Sequence, residues 1–145
     1  MKSWEGVAAL CLKPGESRLL MVLQGKPGQP PTWSLPGGEL VKGEAPEKVV
    51  VREALEDAGV KVQVVRLYRK QQGKTEDARR QPYDFVSHYY EVKPADVKLH
   101  PQDPNEQTYR AEWISRDQIE DLGLMYEYQR EVIQSFWSEA VNRAA

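Results

Sequence analysis

The hydrophobic positions of the chain begin with short β-rich runs. Two of them, Gly6 to Lys13 and Arg18 to Gln24, are separated by Pro14-Gly15-Glu16-Ser17, whose residue types favour a turn. This pattern predicts two strands that pair as a hairpin. Gly25 to Pro31 then carries two glycines and three prolines, which predicts a surface loop leading into Thr32-Trp33-Ser34-Leu35.

The clearest helical signal runs from Pro46 to Ala58. Pro46 suits the first helical position, Glu47 favours the positive end of the helix dipole, and Gly59 suits the C-terminal cap. We therefore predict a helix that spans about 20 Å, at about 1.5 Å per residue.

Two further strands are predicted after this helix, at Val60 to Arg69 and at Tyr83 to Val92. They flank a polar segment, Lys70 to Gln81, that shows no apolar periodicity and is predicted to be a mobile loop. Tyr109 to Ile114 predicts a later strand.

Two helices are predicted near the C-terminal end. Ser115 and Gln118 have the spacing of a capping box for a short helix that reaches Leu122. Between Met125 and Val141 the apolar residues recur at helical intervals and form one hydrophobic stripe. We expect this stripe to pack into the core, and a dimer surface is the alternative, so the expected assembly is a monomer or a homodimer.

This order of elements predicts an α+β fold, an α/β/α sandwich in which a mixed β-sheet is flanked by helices on two sides. The chain of 145 residues has the size of one domain. Because neither a repeat nor a linker divides it, we expect a single domain over residues 1–145.

Composition and charge exclude several classes of function. With 20 basic and 22 acidic side chains and a formal net charge of −2, the chain has no overall field that would recruit nucleic acid or an anionic membrane. The apolar run Val7 to Leu12 is too short for a signal peptide or a membrane span, which makes the cytoplasm the expected location. Cys11 lies in this run and is expected to be a buried, unreactive thiol.

The predicted central helix has an apolar and an acidic side. At about 100° per residue, the apolar side comprises Val51, Ala54, Leu55 and Ala58, and the acidic side comprises Glu53, Glu56 and Asp57. Neighbouring acids on a helix cost about 0.2–0.5 kcal/mol per pair unless they are neutralised. Mg²⁺ could neutralise them, because it binds through a few carboxylates together with substrate phosphates. Plain solvated surface charges are the alternative that the helix alone leaves open.

The residues around the helix make the metal interpretation specific. Leu35-Pro36-Gly37-Gly38 forms a loop whose glycines let the backbone approach a ligand closely. Gly38, five residues, Glu44, seven residues and then Arg52-Glu53-Ala54-Leu55-Glu56-Asp57-Ala58-Gly59-Val60 resembles the Nudix box, GX5EX7REUXEEXGU, where U is a bulky aliphatic residue. All spacings are kept over 23 residues. Asp57 replaces the last glutamate of the box, and the small Ala54 occupies an aliphatic position.

The resemblance to the Nudix hydrolase family, of the MutT-like kind, implies a loop–helix–loop that binds Mg²⁺, with Mn²⁺ as an alternative ion. By position, Glu53, Glu56 and Asp57 are the expected metal ligands or partners of metal-bound water, and the carbonyl of Gly37 completes the coordination sphere. Arg52 would orient the carboxylates. Because aspartate is shorter than glutamate by ~1.5 Å, a metal contact of Asp57 could be mediated by water.

The other positions of the box have structural roles in the family. Gly38, Glu44 and Gly59 would shape the loop–helix–loop. A further carboxylate often precedes a late strand in this family, and Glu106 is the expected extra ligand or general base, with a solvated loop acid as the alternative. The expected catalytic residues are thus Arg52, Glu53, Glu56 and Glu106.

The implied reaction is in-line attack of water on one phosphorus of a diphosphate linkage in a small nucleotide-like substrate. Arg69 and Arg79, at the start of and within the predicted loop Lys70 to Gln81, could close over this anion, with an ordinary solvated loop as the favoured alternative. Trp33 and Tyr83 are candidates to stack on a nucleobase, as are Tyr126 and Tyr128, with core packing as the alternative for each.

The substrate itself is left open, since the accessory markers of family subgroups that cleave ADP-ribose, dinucleoside polyphosphates or NADH are missing at their expected positions. A nucleoside triphosphate or a nucleotide sugar is the expected substrate class. A non-catalytic Nudix domain that senses a nucleotide is the first alternative, and a protein-interaction module is the second. A metal-dependent isomerase ranks last, because its catalytic cysteine would have to be Cys11.

Overall fold

The computed structural model describes residues 2–25, 28–77, 79–101 and 108–144. In chain order the elements are β1 (Lys2–Cys11), β2 (Arg18–Gln24), β3 (Thr32–Ser34), β4 (Gly37–Glu39), α1 (Pro46–Ala58), β5 (Val62–Glu76), β6 (Pro82–Pro94), β7 (Thr108–Ser115), α2 (Arg116–Glu120) and α3 (Gln129–Ala144).

The strands form two sheets, one in the order β4-β1-β6-β5 and one in the order β3-β2-β7. The first sheet is mixed, because β1 and β6 run parallel while its other neighbours are antiparallel. This arrangement confirms the predicted α+β sandwich, although the strands divide between two sheets instead of forming one.

The predicted hairpin of the first two strands is wrong. The chain turns between them, and Lys13 N–H donates to the Arg18 carbonyl at 2.9 Å, but only the pair Leu12 and Leu19 forms a bridge. The reason is that both strands are buried on both faces, from Val7 in β1 and from Leu19 in β2. Each strand therefore forms the interior of its own sheet.

The core consists of two clusters on opposite faces of β1. Ala8 and Leu10 pack with α3 on one face, whereas Val7 and Ala9 pack with α1 on the other. Cys11 lies on the α1 face, and burial raises the pKa of its thiol to about 12, as expected for an unreactive cysteine.

The two C-terminal helices follow the predicted pattern with shifted bounds. The capping box of Ser115 and Gln118 opens α2. The stripe on α3 packs into the core at Val132, Ile133, Phe136 and Trp137, but the helix begins at Gln129 instead of near Met125. In the described part of the chain, helices are all too short or too polar to cross a bilayer.

The predicted mobile loop Lys70 to Gln81 is wrong over most of its length. β5 continues to Glu76 and pairs with β6 up to Pro82, which leaves only a turn between them. The extension of β5 lacks an apolar pattern because a polar residue, Gln71, points inward. Its side-chain amide donates to the Tyr128 carbonyl at 3.0 Å and accepts from the Tyr89 hydroxyl at 2.6 Å. Hydrogen bonds replace the apolar contacts that a periodicity search detects.

Candidate active site on the central helix

The helix α1 has the predicted bounds, and its C-terminal end is fixed by Gly59. This residue adopts the left-handed conformation with a φ of 72°, and its N–H donates to the Leu55 carbonyl at 2.8 Å. A side chain at this position would also overlap the backbone carbonyl of His100. The backbone N–H of His100 donates to the Ala58 carbonyl at 2.7 Å. The glycine therefore sets where the acidic helix stops.

The acidic side of α1 differs from the predicted one at Asp57. Its side chain is only 4% exposed, although the helical wheel placed it opposite the apolar side. Val49 and Val50 are fully buried, and Asp57 lies seven residues after Val50, on the same face of the helix. The buried arc of α1 is therefore centred on Val50 and Ala54 instead of on Val51 and Leu55.

Buried Asp57 contacts the glycine segment, which consists of Gly37 and Gly38 at the start of β4. Its Oδ2 accepts a hydrogen bond from the Gly37 N–H at 3.1 Å. Gly37 lies opposite Ala8 in the ladder of β4 and β1, at a position where backbone N–H and carbonyl both point away from the partner strand. The predicted glycine loop is thus a short strand, and Gly37 turns its polar backbone atoms towards α1.

Gly38 is required because Glu53 lies directly against it. A Cβ atom at Gly38 would lie 2.7 Å from both the carboxyl carbon and Oε1 of Glu53. The Glu53 side chain is only 16% exposed, so the carboxylate is held between α1 and β4. The two glycines therefore position two different acids.

Arg52 lies among three carboxylates. Its Nη1 donates to Glu44 Oε2 at 2.6 Å, its Nη2 lies 3.7 Å from Glu53 Oε1, and its Nε lies 3.9 Å from Glu56 Oε1. The hydrogen bond from Arg52, followed by one from the Val41 N–H, lowers the pKa of Glu44. This geometry suits the orienting role expected for Arg52, which stays a prediction.

The donor atoms of this site fit a hard divalent cation. No three His, Cys, Asp or Glu side chains of the described residues are arranged around one point. However, Mg²⁺ commonly takes one or two protein carboxylates and completes its octahedron with water and phosphate oxygens. Glu53 and Glu56, three residues apart on one helix, and the backbone of Gly37 supply such oxygens.

An aromatic cluster adjoins the glycine segment, formed by Trp4, Phe85, Tyr126 and Tyr128. The rings of Phe85 and Tyr128 stack with centroids 3.9 Å apart, those of Trp4 and Tyr126 stack at 6.3 Å, and the two tyrosines are 5.6 Å apart. A Cβ atom at Gly6 would overlap the Trp4 ring and lie 2.7 Å from the Gly38 carbonyl oxygen. The cluster thus approaches β4 from the face opposite α1.

The sequence pattern points to the two tyrosines of this cluster but not to Trp4 and Phe85. The available signal was Gly6, two residues after Trp4 and therefore on the same face of the strand, where it leaves room for a large ring. Tyr83 adjoins the cluster. Burial, followed by the neighbouring Tyr83 phenol, raises the pKa of Tyr126.

The other predicted substrate-binding residues lie elsewhere. Trp33 belongs to β3 in the second sheet, where the Arg110 guanidinium lies 5.7 Å from its ring centre. Arg69 lies on β5 and donates to Ser135 on α3 at 2.9 Å.

The predictions for Arg79 and Glu106 are least constrained by the structure. Arg79 is exposed in the turn before β6, and its N–H donates to Asp77 Oδ1 at 2.9 Å. Glu106 lies outside the described residues. The roles proposed for both side chains stay predictions.

Comparison with known proteins places the chain among related sequences and folds. A family model described as NUDIX domain matches residues 3–136. A NUDIX hydrolase from Nitrosomonas europaea superimposes with a TM-score of 0.72 at 22% identity, covering 95% of this chain and 90% of that one. The NUDIX domain of Shewanella oneidensis NrtR, solved with ADP ribose, gives 0.77 at 17% identity over 100% and 90%. A UDP-X diphosphatase gives 0.71 at 19% identity over 97% and 65%. No curated protein sequence matches.

Proposed function

This protein belongs to the NUDIX family of hydrolases, and we propose that it hydrolyses the diphosphate linkage of a nucleoside diphosphate derivative with Mg²⁺ or Mn²⁺ as cofactor. One observation carries the proposal: Glu53 lies directly against Gly38 on one face of β4, and the Trp4 ring of the aromatic cluster lies near the Gly38 carbonyl on the other face. Glu56 shares Arg52 with Glu53. Oxygen ligands for a metal and a surface for a base therefore adjoin one strand.

The metal would be held by the carboxylates of Glu53 and Glu56 and by the Gly37 carbonyl. When bound, such an ion lowers the pKa of water and offsets the charge of phosphate oxygens. In the absence of the ion, Arg52 would offset part of the negative charge of Glu53 and Glu56 and orient their carboxylates. The protein's own contribution is largely to position these groups.

Asp57 has a different role from the glutamate that it replaces. Its carboxylate is buried and accepts from the Gly37 N–H, so it acts on the segment that carries the metal-binding carbonyl. We therefore assign Asp57 to the support of β4, and the two glutamates to the ion.

The aromatic cluster is the proposed base-stacking surface. The Trp4 ring packs against Gly6 near the Gly38 carbonyl and stacks with Tyr126, and aromatic faces stack on bases of every type. A nucleoside diphosphate derivative, such as a nucleoside triphosphate or a nucleotide sugar, would fit both parts with its diphosphate at α1.

The test is a screen of nucleoside triphosphates, ADP-ribose, nucleotide sugars and dinucleoside polyphosphates for cleavage, with Mg²⁺, with Mn²⁺ and with a chelator. Metal-dependent cleavage of one class supports the proposal and names the substrate. No turnover, together with a rise in melting temperature on adding a nucleotide and metal, would favour a nucleotide sensor, a reading that the Asp57 substitution also motivates. If the protein showed neither turnover nor binding of nucleotide and metal, a protein-interaction module would be the remaining function.

A further inference from the structure

The chain changes sheets directly before the glycine segment. β3 belongs to the three-stranded sheet and β4 to the four-stranded sheet, so Leu35 and Pro36 cross from one to the other. Leu35 is only 2% exposed, and its N–H has left the ladder of β3. A buried backbone donor at such a crossing needs another partner.

Three elements supply partners for this crossing. Leu35 N–H donates to Gln129 Oε1 at 3.2 Å, the Pro36 carbonyl accepts from Ala9 N–H at 2.8 Å, and Gly37 N–H donates to Asp57. Proline has no N–H, and Pro36 is held through its carbonyl instead. Leu35, Pro36 and Gly37 therefore each have a backbone group fixed by one of these bonds. The bond to Gln129 bridges 94 positions of sequence.

Gln129 is itself held firmly. It is the first residue of α3, its side chain is buried at 6% exposure, and its N–H donates to Tyr126 O at 2.9 Å. The chain just before it runs beside β3: Trp33 N–H donates to Gly123 O at 3.2 Å, and Met125 N–H donates to Trp33 O at 2.8 Å. The backbone at Gln129 is thus fixed, and from there the side-chain amide reaches Leu35.

We propose that Gln129 is a positioning residue that sets the backbone of Leu35 to Gly38 for metal binding, through its bond to the Leu35 N–H. The inference rests on the proposed function, because that function requires the Gly37 carbonyl and the Glu53 carboxylate beside Gly38. The segment before Gln129 also carries Tyr126 and Tyr128, so one stretch of chain holds the aromatic cluster and braces the metal-binding strand.

The experiment compares Gln129→Met with the wild-type protein by hydrogen exchange and by titration with Mn²⁺ alone. Methionine keeps the size of the side chain but removes the acceptor. We expect amide exchange of Leu35, Gly37 and Gly38 to quicken by about tenfold relative to β5. The Mn²⁺ dissociation constant should also rise by about tenfold, which corresponds to the net free energy of one hydrogen bond. Gln129→Glu, which restores an acceptor oxygen, should return both towards wild type. If Gln129→Met does not fold, Gln129→Asn, which is one methylene shorter, replaces it.

Tyr68→Phe is the matched control. It also removes one hydrogen bond between α3 and the sheet, at 2.7 Å to Ser135, but none to the crossing. Equal changes in Tyr68→Phe and Gln129→Met, or an unchanged Mn²⁺ affinity in Gln129→Met, would overturn the inference. Since neither readout needs turnover, an inactive wild type that shows the expected changes would refute the proposed function and support the role of Gln129.

Discussion

The acidic helix and the aromatic cluster approach β4 from opposite faces and are built in different ways. The acids and glycines beside α1 come from one stretch of chain, Gly37 to Asp57, whose spacing is visible in the sequence. The aromatic cluster combines β1, β6 and the segment before α3, so its members are up to 124 positions apart in the case of Trp4 and Tyr128. The first region is specified by local spacing and the second only by the fold. We therefore expect the first to fix the reaction and the second to select the substrate.

The sharpest test of this division removes charge from the helix. Glu53→Gln and Glu56→Gln should each lower kcat by at least ~10²-fold, because loss of charge at the proposed metal site removes stabilisation of the transition state. The measurement is steady-state hydrolysis of the substrate found by the screen, at saturating Mg²⁺.

Glu47→Gln serves as its control, since Glu47 is an exposed acid in the first turn of the same helix. It should retain wild-type kcat. Near-normal rates in both glutamine variants at positions 53 and 56 would refute the metal assignment.

The adjacent glycines offer a second test, because a methyl group meets different atoms at each. At Gly37 it would overlap the Val7 backbone carbonyl, which cannot move freely, whereas at Gly38 it meets the end of the Glu53 side chain. We expect Gly37→Ala to lower the free energy of unfolding by about 1–3 kcal/mol. Gly38→Ala should change it by under about 1 kcal/mol yet lower kcat by about tenfold, since it displaces the proposed metal ligand Glu53 by a fraction of an ångström.

Chemical denaturation and kinetics on the same two preparations separate these effects. Equal loss of stability in both variants would mean that Glu53 cannot yield at Gly38, and unchanged kcat in Gly38→Ala would show that the position of its carboxylate is unimportant.

The aromatic cluster should respond in binding instead of in the chemical step. Trp4→Leu removes a ring that stacks with Tyr126 and should raise KM by about tenfold with kcat within about twofold, since stacking on one base contributes about 1–3 kcal/mol. Trp33→Leu in the other sheet is the comparison, and its KM should stay near that of wild type. The reverse pattern, with KM raised only by Trp33→Leu, would restore the base-stacking role that the sequence assigned to Trp33.

The sequence predicted what depends on neighbours along the chain. The bounds of α1, the cap at Gly59 and the box residues Glu53 and Glu56 follow from spacing alone. The burial of Asp57 does not, because sheet packing at Val49 and Val50 decides which arc of the helix faces inward.

The features that were missed depend on distant partners. β5 carries glutamine and glycine at inward positions, so no apolar period marks its extension to Glu76. Likewise nothing near Leu35 predicts that Gln129 would accept its hydrogen bond. Long-range polar contacts therefore account for more of the errors than local propensity does.

The smallest expected effect concerns the pair of Glu44 and Arg52 at the entrance to α1. The hydrogen bond from Arg52 lowers the pKa of Glu44 from its ordinary value of 4.5, so the folded state favours the charged carboxylate. Its contribution to stability is complete above pH 4.5 and is lost as the pH falls through the lowered pKa. Glu44→Gln should thus be slightly less stable than wild type at pH 7, and the gap should close under acid and narrow in high salt, because the pair is exposed to solvent. Thermal unfolding of both proteins between pH 3 and pH 7 measures this gap. Equal stability of the two proteins at every pH would assign the role of Glu44 to its hydrogen bond with the Val41 N–H, which a glutamine oxygen can also accept, instead of to its charge.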